Sequence, residues 1–461
     1  MSDTPVNGSP ARANDVETRP EEDRRPLETA LCRGLLWVFP RERFVSFAAG
    51  RSTFGRDPTA SDPLPGEMVS RIHASIVCSG PLLCLRDEGS RNGTRHNGVL
   101  VSEARLEDGD VIRLGEWVGV VTSLPFAAAQ QQALFDEPLP GVLIGPRTRE
   151  LWQRLCLLAK SPLPLLLQAP TGCGKEVFAR AAHELSGRTG KFVAQNCAAL
   201  TESLAEAQLF GHVRGAFTDA RASAPGLFAT ADGGTLFLDE IVDLALVHQA
   251  KLLRAVEDGA VTALGATTPR PCDVRLVAAA QVPLSERVAA GLFREDLMAR
   301  IGGAILSIPP MSERREEALR LFLRNFEAAG GARSLVDPSL AEAVVLYDWP
   351  LNVREIRNVA QRLALEYPGV ALGAAHFEKV VDLRTPGNQG GSAPPPSVSP
   401  AVGSKRRQLW LERHRREVSA LQNALTVHHG NLSEAARAVG ISRHQAQRLL
   451  AASREADGDG N

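Results

Sequence analysis

Residues 169–176 read Ala-Pro-Thr-Gly-Cys-Gly-Lys-Glu and follow an apolar run, Leu163-Pro164-Leu165-Leu166-Leu167-Gln168. A short apolar run bounded by Pro and Gly has the pattern of a buried strand. Glu176 to His183 carries a helical pattern. Strand, glycine-rich turn and helix, in that order, make a phosphate cradle. Gly172 and Gly174 permit a tight loop whose backbone N–H groups face an anion, and Thr171 and Cys173 complete it. Lys175 supplies a point charge for the outer phosphates, and the helix N-terminus adds its dipole. The general pattern is G-x-x-x-x-G-K-[ST]; here Ala169 stands at the first glycine and Glu176 at the hydroxyl position. Taken alone, the loop also fits a plain strand-to-helix turn.

Downstream, Leu236-Phe237-Leu238-Asp239-Glu240 is an apolar run ending in two carboxylates. Asp239 is suited to holding Mg²⁺ and Glu240 to polarising an attacking water. Between loop and acidic strand lies Gly-Ala-Phe-Thr-Asp-Ala at 215–220. Nucleotide chemistry does not require that hexapeptide, so it points to a further contact.

At 461 residues the chain is long enough for about three domains. Its net charge of −1 confines any nucleic-acid contact to a local patch. No apolar run reaches membrane-spanning length, and residues 1–30 are polar and lack the apolar core of a signal peptide. The seven cysteines are scattered without a CxxC pair, which argues against zinc or a disulfide framework and for a reducing cytoplasm. Residues 31–124 contain short apolar runs (LLWVF, ASIVC, LLCLR) broken by turn residues, an all-β pattern; 140–383 alternates strand-like and helical runs, a parallel α/β pattern. Residues 384–404 are a Pro/Gly/Ser-rich linker.

Further stretches make the central block specific: NCAAL at 196–200, LFGH at 209–212, GTLFLDEI at 234–241, KLLRAVEDG at 251–259, FREDL at 293–297, IPP at 308–310 and WPLNVREIRN at 349–358. With the phosphate loop and the hexapeptide, they resemble the AAA+ domain of bacterial enhancer-binding proteins, the activators of sigma-54 RNA polymerase. The resemblance implies ATP and Mg²⁺ as cofactors and a ring, usually of six protomers. It makes Asn196 the switch residue that holds Glu240, Arg294 and Arg300 the arginines that reach a neighbouring subunit's nucleotide, and Arg354 the lid arginine that senses the γ-phosphate. It makes the hexapeptide the sigma-54 contact, through Phe217 and Thr218, and it expects Glu176 in place of Ser/Thr. The chain departs from the pattern at Ala169, Pro170, Asp219, Ala280-Gln281 and Leu351.

In the N-terminal block, Gly55-Arg56, Ser70-Arg71-Ile72-His73, Ser90-Arg91-Asn92-Gly93-Thr94, Asn97-Gly98 and Leu106-Glu107-Asp108-Gly109-Asp110 occur in order. This set resembles a forkhead-associated (FHA) domain, a β-sandwich that binds phosphothreonine peptides. Arg56, Ser70, Arg91 and Asn92 offer the donors a phosphate needs, and Asn97 is expected at the peptide backbone. His73 and Gly93 read as loop braces. At the C-terminal end, GNLSEAARAVGISRHQAQRLL resembles a Fis-type helix-turn-helix. Leu432, Ala435, Ala436 and Val439 share one helical face, and Arg443, His444, Gln445, Gln447 and Arg448 face outward on the next helix, as a major-groove reader requires. A helix over about 408–428, with Arg413, Arg415 and Arg416, is expected upstream.

The expected division is a disordered 1–30, an FHA domain at 31–124, a linker at 125–139, an α/β ATPase core at 140–310, a helical lid at 311–383, a linker at 384–404, the helix-turn-helix at 405–455 and a tail at 456–461. The implied function is an ATP-driven transcription regulator. It acts on sigma-54 RNA polymerase holoenzyme from enhancer DNA and takes input from a threonine-phosphorylated protein. Two rivals remain at this stage: a regulator that binds ATP and DNA without driving sigma-54, and a phosphopeptide adaptor with an inactive ATPase.

Overall fold

The computed structural model describes residues 31–47, 49–125, 134–217, 220–382 and 415–427, with positions 435 and 438. The chain falls into two compact units, Met1–Pro386 and Gly387–Asn461.

The first unit opens with a β-sandwich: β1 (Leu31–Phe39), β2 (Arg43–Ser46), β3 (Gly50–Gly55), β4 (Asp62–Pro63), β5 (Ala74–Ser79), β6 (Leu82–Asp87), β7 (Thr94–His96), β8 (Val99–Val101), β9 (Glu103–Leu106), β10 (Val111–Leu114) and β11 (Trp117–Pro125). One sheet runs β2-β1-β11-β10-β7-β8, the other β4-β3-β5-β6-β9. Side chains alternate across a strand. Leu35 and Trp37 therefore point into the sandwich core, with Phe54, Ile76, Leu85 and Val121. Leu36 and Val38 point the other way, with Val111, Val118, Val120 and Leu124.

That outer face is also buried. It packs on the helices that follow the α/β core, against Leu319, Phe322, Leu340, Val344 and Val345. A sheet covered on both faces needs apolar residues at successive positions, which is why β1 contains the unbroken run LLWVF. Burying a Val or Leu stabilises by roughly 1.5–3 kcal/mol, so the outer face contributes on the order of 10 kcal/mol as an upper bound. The half-exposed rim pair Arg320–Glu42 adds at most about 1 kcal/mol. Apolar burial, not charge, holds the sandwich in place.

Residues 125–139 are expected to be a linker by composition, but 134–139 are folded. Leu134 and Phe135 are buried in the same outer-face core. Beyond them β12 (Asp136–Leu139) pairs with β13 (Val142–Ile144).

The α/β core follows: α1 (Arg149–Ala159), β14 (Leu165–Gln168), α2 (Lys175–Leu185), β15 (Phe192–Asn196), α3 (Glu202–Phe210), β16 (Gly211–His212), β17 (Ala224–Pro225), α4 (Leu227–Thr230), β18 (Thr235–Asp239), α5 (Leu246–Asp258), β19 (Ala260–Val261), β20 (Arg270–Pro271), β21 (Arg275–Ala280), α6 (Leu284–Ala289), α7 (Glu295–Ile301) and β22 (Ala304–Ser307). The central sheet is parallel, in the order β15-β18-β21-β14-β22. β14 starts two residues later than the apolar run suggests, because Pro164 has no N–H for the ladder. Parallel strands place all their C-terminal ends on one edge, where ligands bind in open α/β sheets.

The lid consists of α8 (Arg315–Ala328), α9 (Pro338–Leu346), α10 (Asn352–Glu366) and α11 (Ala374–Asp382). Its centre is Trp349, with Tyr347 and Phe377 packed edge-on against it. In the second unit the described helix is α12 (Arg415–Val427), with Leu421 and Ala435 buried. Among the described residues no helix is long and apolar enough to cross a membrane.

Candidate functional site

The edge of the central sheet and the lid line a half-open cleft of about 410 Å³. From the loop after β14 come Thr171, Gly172, Gly174 and Lys175; from β18, Asp239 and Glu240; from α10, Arg354, Arg357, Asn358 and Gln361. Cys173, expected in the cradle, turns its buried side chain inward, and burial pushes its thiol pKa up.

Gly172 and Gly174 hold left-handed backbone, with φ of 79° and 99°. At Gly172 space is also short: a Cβ would clash with the carbonyl oxygen of Leu351, which stands just before lid helix α10. The glycine is therefore what lets loop and lid meet. Two polar side chains fasten that contact. Asn352 donates from Nδ2 to the carbonyl of Thr171 (2.9 Å) and accepts at Oδ1 from the Met311 N–H (2.7 Å). Arg314, which is buried, donates to the carbonyl of Cys173 (3.1 Å) and pairs with Glu317 (2.9 Å). Glu317 in turn accepts from Thr148 Oγ1 and the Gly145 N–H.

Lys175 is buried, donates to the carbonyl of Ala169 (3.0 Å) and stands 3.6 Å from Glu240 Oε1. Glu240 has left-handed backbone (φ 53°) and accepts a 2.6 Å bond from Gln281 Nε2 on the same oxygen. Burial, and then the Glu240 charge, raise the pKa of Asp239. Asn196 pairs with Asp239 across adjacent strands, but its Oδ1 caps its own turn by accepting from the Ala198 N–H (2.8 Å). Glu176 pairs with Arg180 on the exposed side of α2 (2.9 Å).

Arg294 and Arg300 are exposed and do not line this cavity. The Asp296 carboxylate holds Arg294 through two bonds, of 3.0 and 2.6 Å. The buried Gln249 fixes the loop by accepting from the Arg294 N–H (2.9 Å). Phe217 packs against His212, ring centroids 5.0 Å apart, in a loop closed by the bond from the Gly215 N–H to the Ala220 carbonyl (2.8 Å). Thr218, Asp219, Arg443, His444, Gln445, Gln447 and Arg448 lie outside the described residues.

On the sandwich, Arg56, Arg91 and Asn92 are exposed on neighbouring loops. The loops are tied together: the Arg91 N–H donates to Ser70 Oγ (3.0 Å), the Arg56 N–H to the Ser70 carbonyl (3.0 Å), and Asn92 Nδ2 to the Met68 carbonyl (2.8 Å). His73 is buried beneath them. Its Nδ1 accepts from the Ser70 N–H, and its Nε2 lies 3.2 Å from the Gly93 carbonyl. Burial lowers its pKa, which suits a neutral brace. Asn97, at φ 50°, donates to Asp110 and accepts from the Val111 N–H, both at 2.8 Å. These bonds engage both ends of its amide within the domain.

Sequence reasoning missed Arg314, Asn352, Arg357 and Gln361. The last two share with Arg354 and Asn358 a three-four spacing on α10 that could have shown them. Arg314 and Asn352 carry no such signal, since their partners lie far away in the chain.

Family models match the chain in four places. The sigma-54 interaction domain matches residues 143–307, the FHA domain 52–115, the AAA+ ATPase lid domain 313–393, and the Fis family of bacterial regulatory proteins 415–448. The C4-dicarboxylate transport transcriptional regulatory protein DctD of Rhizobium meliloti is 40% identical over 313 residues, which are 67% of this chain and 63% of DctD. The DNA-binding transcriptional regulator NtrC of Azospirillum brasilense is 35% identical over 334 residues, covering 68% of this chain and 69% of NtrC. The chain thus spans just under two thirds of the first relative and slightly more of the second. Among solved structures, NtrX from Brucella abortus in complex with ATP is 26% identical, with a TM-score of 0.47 over 69% of each chain. A domain studied for phosphothreonine-dependent FHA interactions is 36% identical, with a TM-score of 0.20 over 21% of this chain and 99% of that one. With these regions in that order, the chain belongs to the family of sigma-54-dependent transcriptional activators, with an FHA domain ahead of the sigma-54 interaction domain and a Fis-type helix-turn-helix behind it.

Proposed function

We infer that the chain is an ATP-driven activator that remodels sigma-54 RNA polymerase from enhancer DNA, under the control of a threonine-phosphorylated protein bound to the FHA domain. The carrying observation is that phosphate loop, acidic pair and lid helix face one cavity. The residues fit ATP and Mg²⁺. Lys175 is a buried cation at the loop's end, and Asp239 and Glu240 put two carboxylates beside it. Mg²⁺ is commonly held by one or two carboxylates together with substrate phosphates, so Asp239 suits it. When bound, the metal–nucleotide complex supplies the phosphoryl group and neutralises part of its charge.

The chain's own residues do the rest. Lys175 and the N–H groups of the loop hold the phosphates, and Glu240 accepts the proton of the attacking water. Arg354 places a positive charge from the lid over the same cavity. The outward exposure of Arg294 and Arg300 suits delivery to a neighbouring protomer, in a ring in which assembly switches on turnover. Phe217 and Thr218 form the sigma-54 contact, and Arg443, His444, Gln445, Gln447 and Arg448 read the enhancer. Arg56, Ser70, Arg91 and Asn92 take the phosphate of the input protein, with Asn97 braced alongside.

A second reading rests on Asp219, where the family pattern has glycine, and on Ala280-Gln281: a regulator that binds nucleotide and DNA without opening a sigma-54 promoter. The deciding experiment is open-complex formation on a sigma-54 promoter with purified holoenzyme. ATP-dependent opening supports the first reading. ATP turnover without opening supports the second, and Asp219→Gly then tests whether the loop is the weak point.

A further inference from the structure

The sandwich and the nucleotide cleft meet at one lid helix. Glu316 and Glu317 are successive residues of α8, so they leave the helix about 100° apart. Glu317 serves the cleft: it pairs with Arg314 (2.9 Å), which donates to the Cys173 carbonyl in the phosphate loop (3.1 Å). Glu316 serves the sandwich through Arg147, at 3.6 Å. Arg147 also binds Asp108 on the turn between β9 and β10 (2.7 Å) and Thr122 on β11 (3.3 Å). Its neighbour Thr148, directly ahead of core helix α1, donates to Glu317 (2.5 Å). Sandwich, core and lid therefore touch at one junction.

A second contact lies on α9. Arg113 of β10 pairs with Glu342 (2.9 Å), and both are largely buried. The Asn97-Gly98 turn closes on the same helix, where an added Cβ at Gly98 would press on Leu346. That turn follows β7, a strand of three residues that begins directly after the Arg91-Asn92-Gly93 loop. Asn97 ties the turn to Asp110 (2.8 Å), two residues beyond Asp108.

These ion pairs are weak struts. The Arg147–Glu316 distance exceeds a hydrogen bond, and a buried pair without close geometry recovers little of its desolvation cost. The apolar face supplies the adhesion, and the charges supply sensitivity to position. Packed interfaces of this kind shift between discrete arrangements more readily than they stretch.

We propose that α8 couples the FHA domain to the nucleotide cleft. Nucleotide that orders the phosphate loop also tightens the sandwich on the lid, and a phosphate ligand that orders the sandwich loops also tightens the grip on nucleotide. Each ligand orders a segment that bears on the lid, so the second loses less conformational entropy on binding. The two effects are equal in size by linkage. With one ligand present alone, a substitution at the other's site changes nothing, because the coupling acts between bound states. The inference rests on nucleotide binding in the cleft, as read above, and deepens the regulation of that site.

The test uses the full chain and ADP. Hydrogen exchange is followed at β10, β11 and α9 with and without saturating ADP, with the far sheet β3-β5-β6 as internal reference, and calorimetry reads ADP affinity. Residues of these elements do not line the cleft, so a change there reports the seam. In the wild type, ADP is expected to slow exchange at the seam by about fivefold relative to the far sheet. Asp108→Ala removes the half-exposed partner of Arg147 and leaves the cleft residues in place. It is expected to abolish at least half of that slowing and to lower ADP affinity by about two- to fivefold. Arg147→Gln breaks the junction from the other side, with the same expected loss, and serves as the second variant should the turn lose its shape.

ADP that binds without slowing exchange at the seam overturns the inference and leaves the nucleotide reading standing. Slowing that persists in full in both variants also overturns it, because the seam would then respond through other contacts. A wild type that does not bind ADP removes the nucleotide reading and the inference together.

Discussion

The two places proposed to take phosphate are built differently. The cleft between sheet edge and lid is half open but has a buried floor: Lys175 is buried, two carboxylates lie beside it, and the loop is fastened to the lid by Asn352 and Arg314. The loops of the sandwich are open. Arg56 and Arg91 are exposed, and the polar bonds beneath them shape the loops without covering them. A cleft with a buried cation and its own carboxylates has the groups needed to act on a phosphate. Surface loops with cations and amides, over a His73 whose pKa burial lowers, have the groups to capture a phosphate and, among the described residues, no carboxylate placed to act on it. The sandwich's outer sheet face and the lid share one apolar core, so the two sites belong to a single folded body.

Three changes sharpen or break that comparison. The largest effect on binding is expected from Lys175→Ala: ADP affinity should fall by about a hundredfold, since a buried charge-assisted contact is removed. Phosphothreonine-peptide affinity should stay unchanged, and calorimetry with both ligands reads the two together. A joint loss would show that the sites are not separable.

Next, Arg56→Ala should weaken binding of a phosphothreonine peptide by about ten- to a hundredfold and leave ADP binding alone. Undiminished peptide affinity would mean the exposed arginine is not the phosphate anchor.

The third change bears on stability, not on ligand binding, and concerns the seam. Glu316, on α8, is fully buried, and burial pushes its pKa up to about 7, with the neighbouring Glu317 adding to the rise and Arg147 opposing it. Arg147 reaches Glu316 at 3.6 Å and also binds Asp108 of the sandwich at 2.7 Å. Because the folded-state pKa lies above the ordinary carboxylate value, the folded chain holds this proton more tightly than the unfolded chain does. Stability from this group is therefore highest below pH 4.5 and is lost as pH rises toward 7, by roughly 3 kcal/mol. Thermal melts from pH 4.5 to 8 should show that decline, and Glu316→Gln should flatten it. An unchanged slope in the variant would assign the decline to other groups.

Local chemistry was legible in the sequence, and long-range docking was not. Lys175, Asp239, Glu240 and Arg354 stand in short motifs whose order along the chain fixes their place at one sheet edge, and the structure puts them around one cavity. The order of turn motifs likewise marked the sandwich loops. What escaped was set by distant partners. Arg314 looks like any charged residue at a helix start until its bond to Cys173 is seen. Leu134 and Phe135 sit in an Ala- and Gln-rich stretch that reads as a linker, yet they fill the seam between sandwich and lid. The run LLWVF did hold a clue: with no polar residue at alternate positions, it announces a sheet with no wet face. Gln281 was visible as a departure from the family pattern, but its bond to Glu240 was not.

The most direct test of the central claim is ATP turnover per protomer, measured across protein concentration from well below to well above assembly. Nucleotide held at Lys175 and completed by arginines from a neighbour predicts a steep rise in specific activity with concentration. The predicted rise is abolished by Arg294→Ala, with ADP binding intact. Specific activity that is constant down to the most dilute sample, or unaffected by Arg294→Ala, would contradict the account.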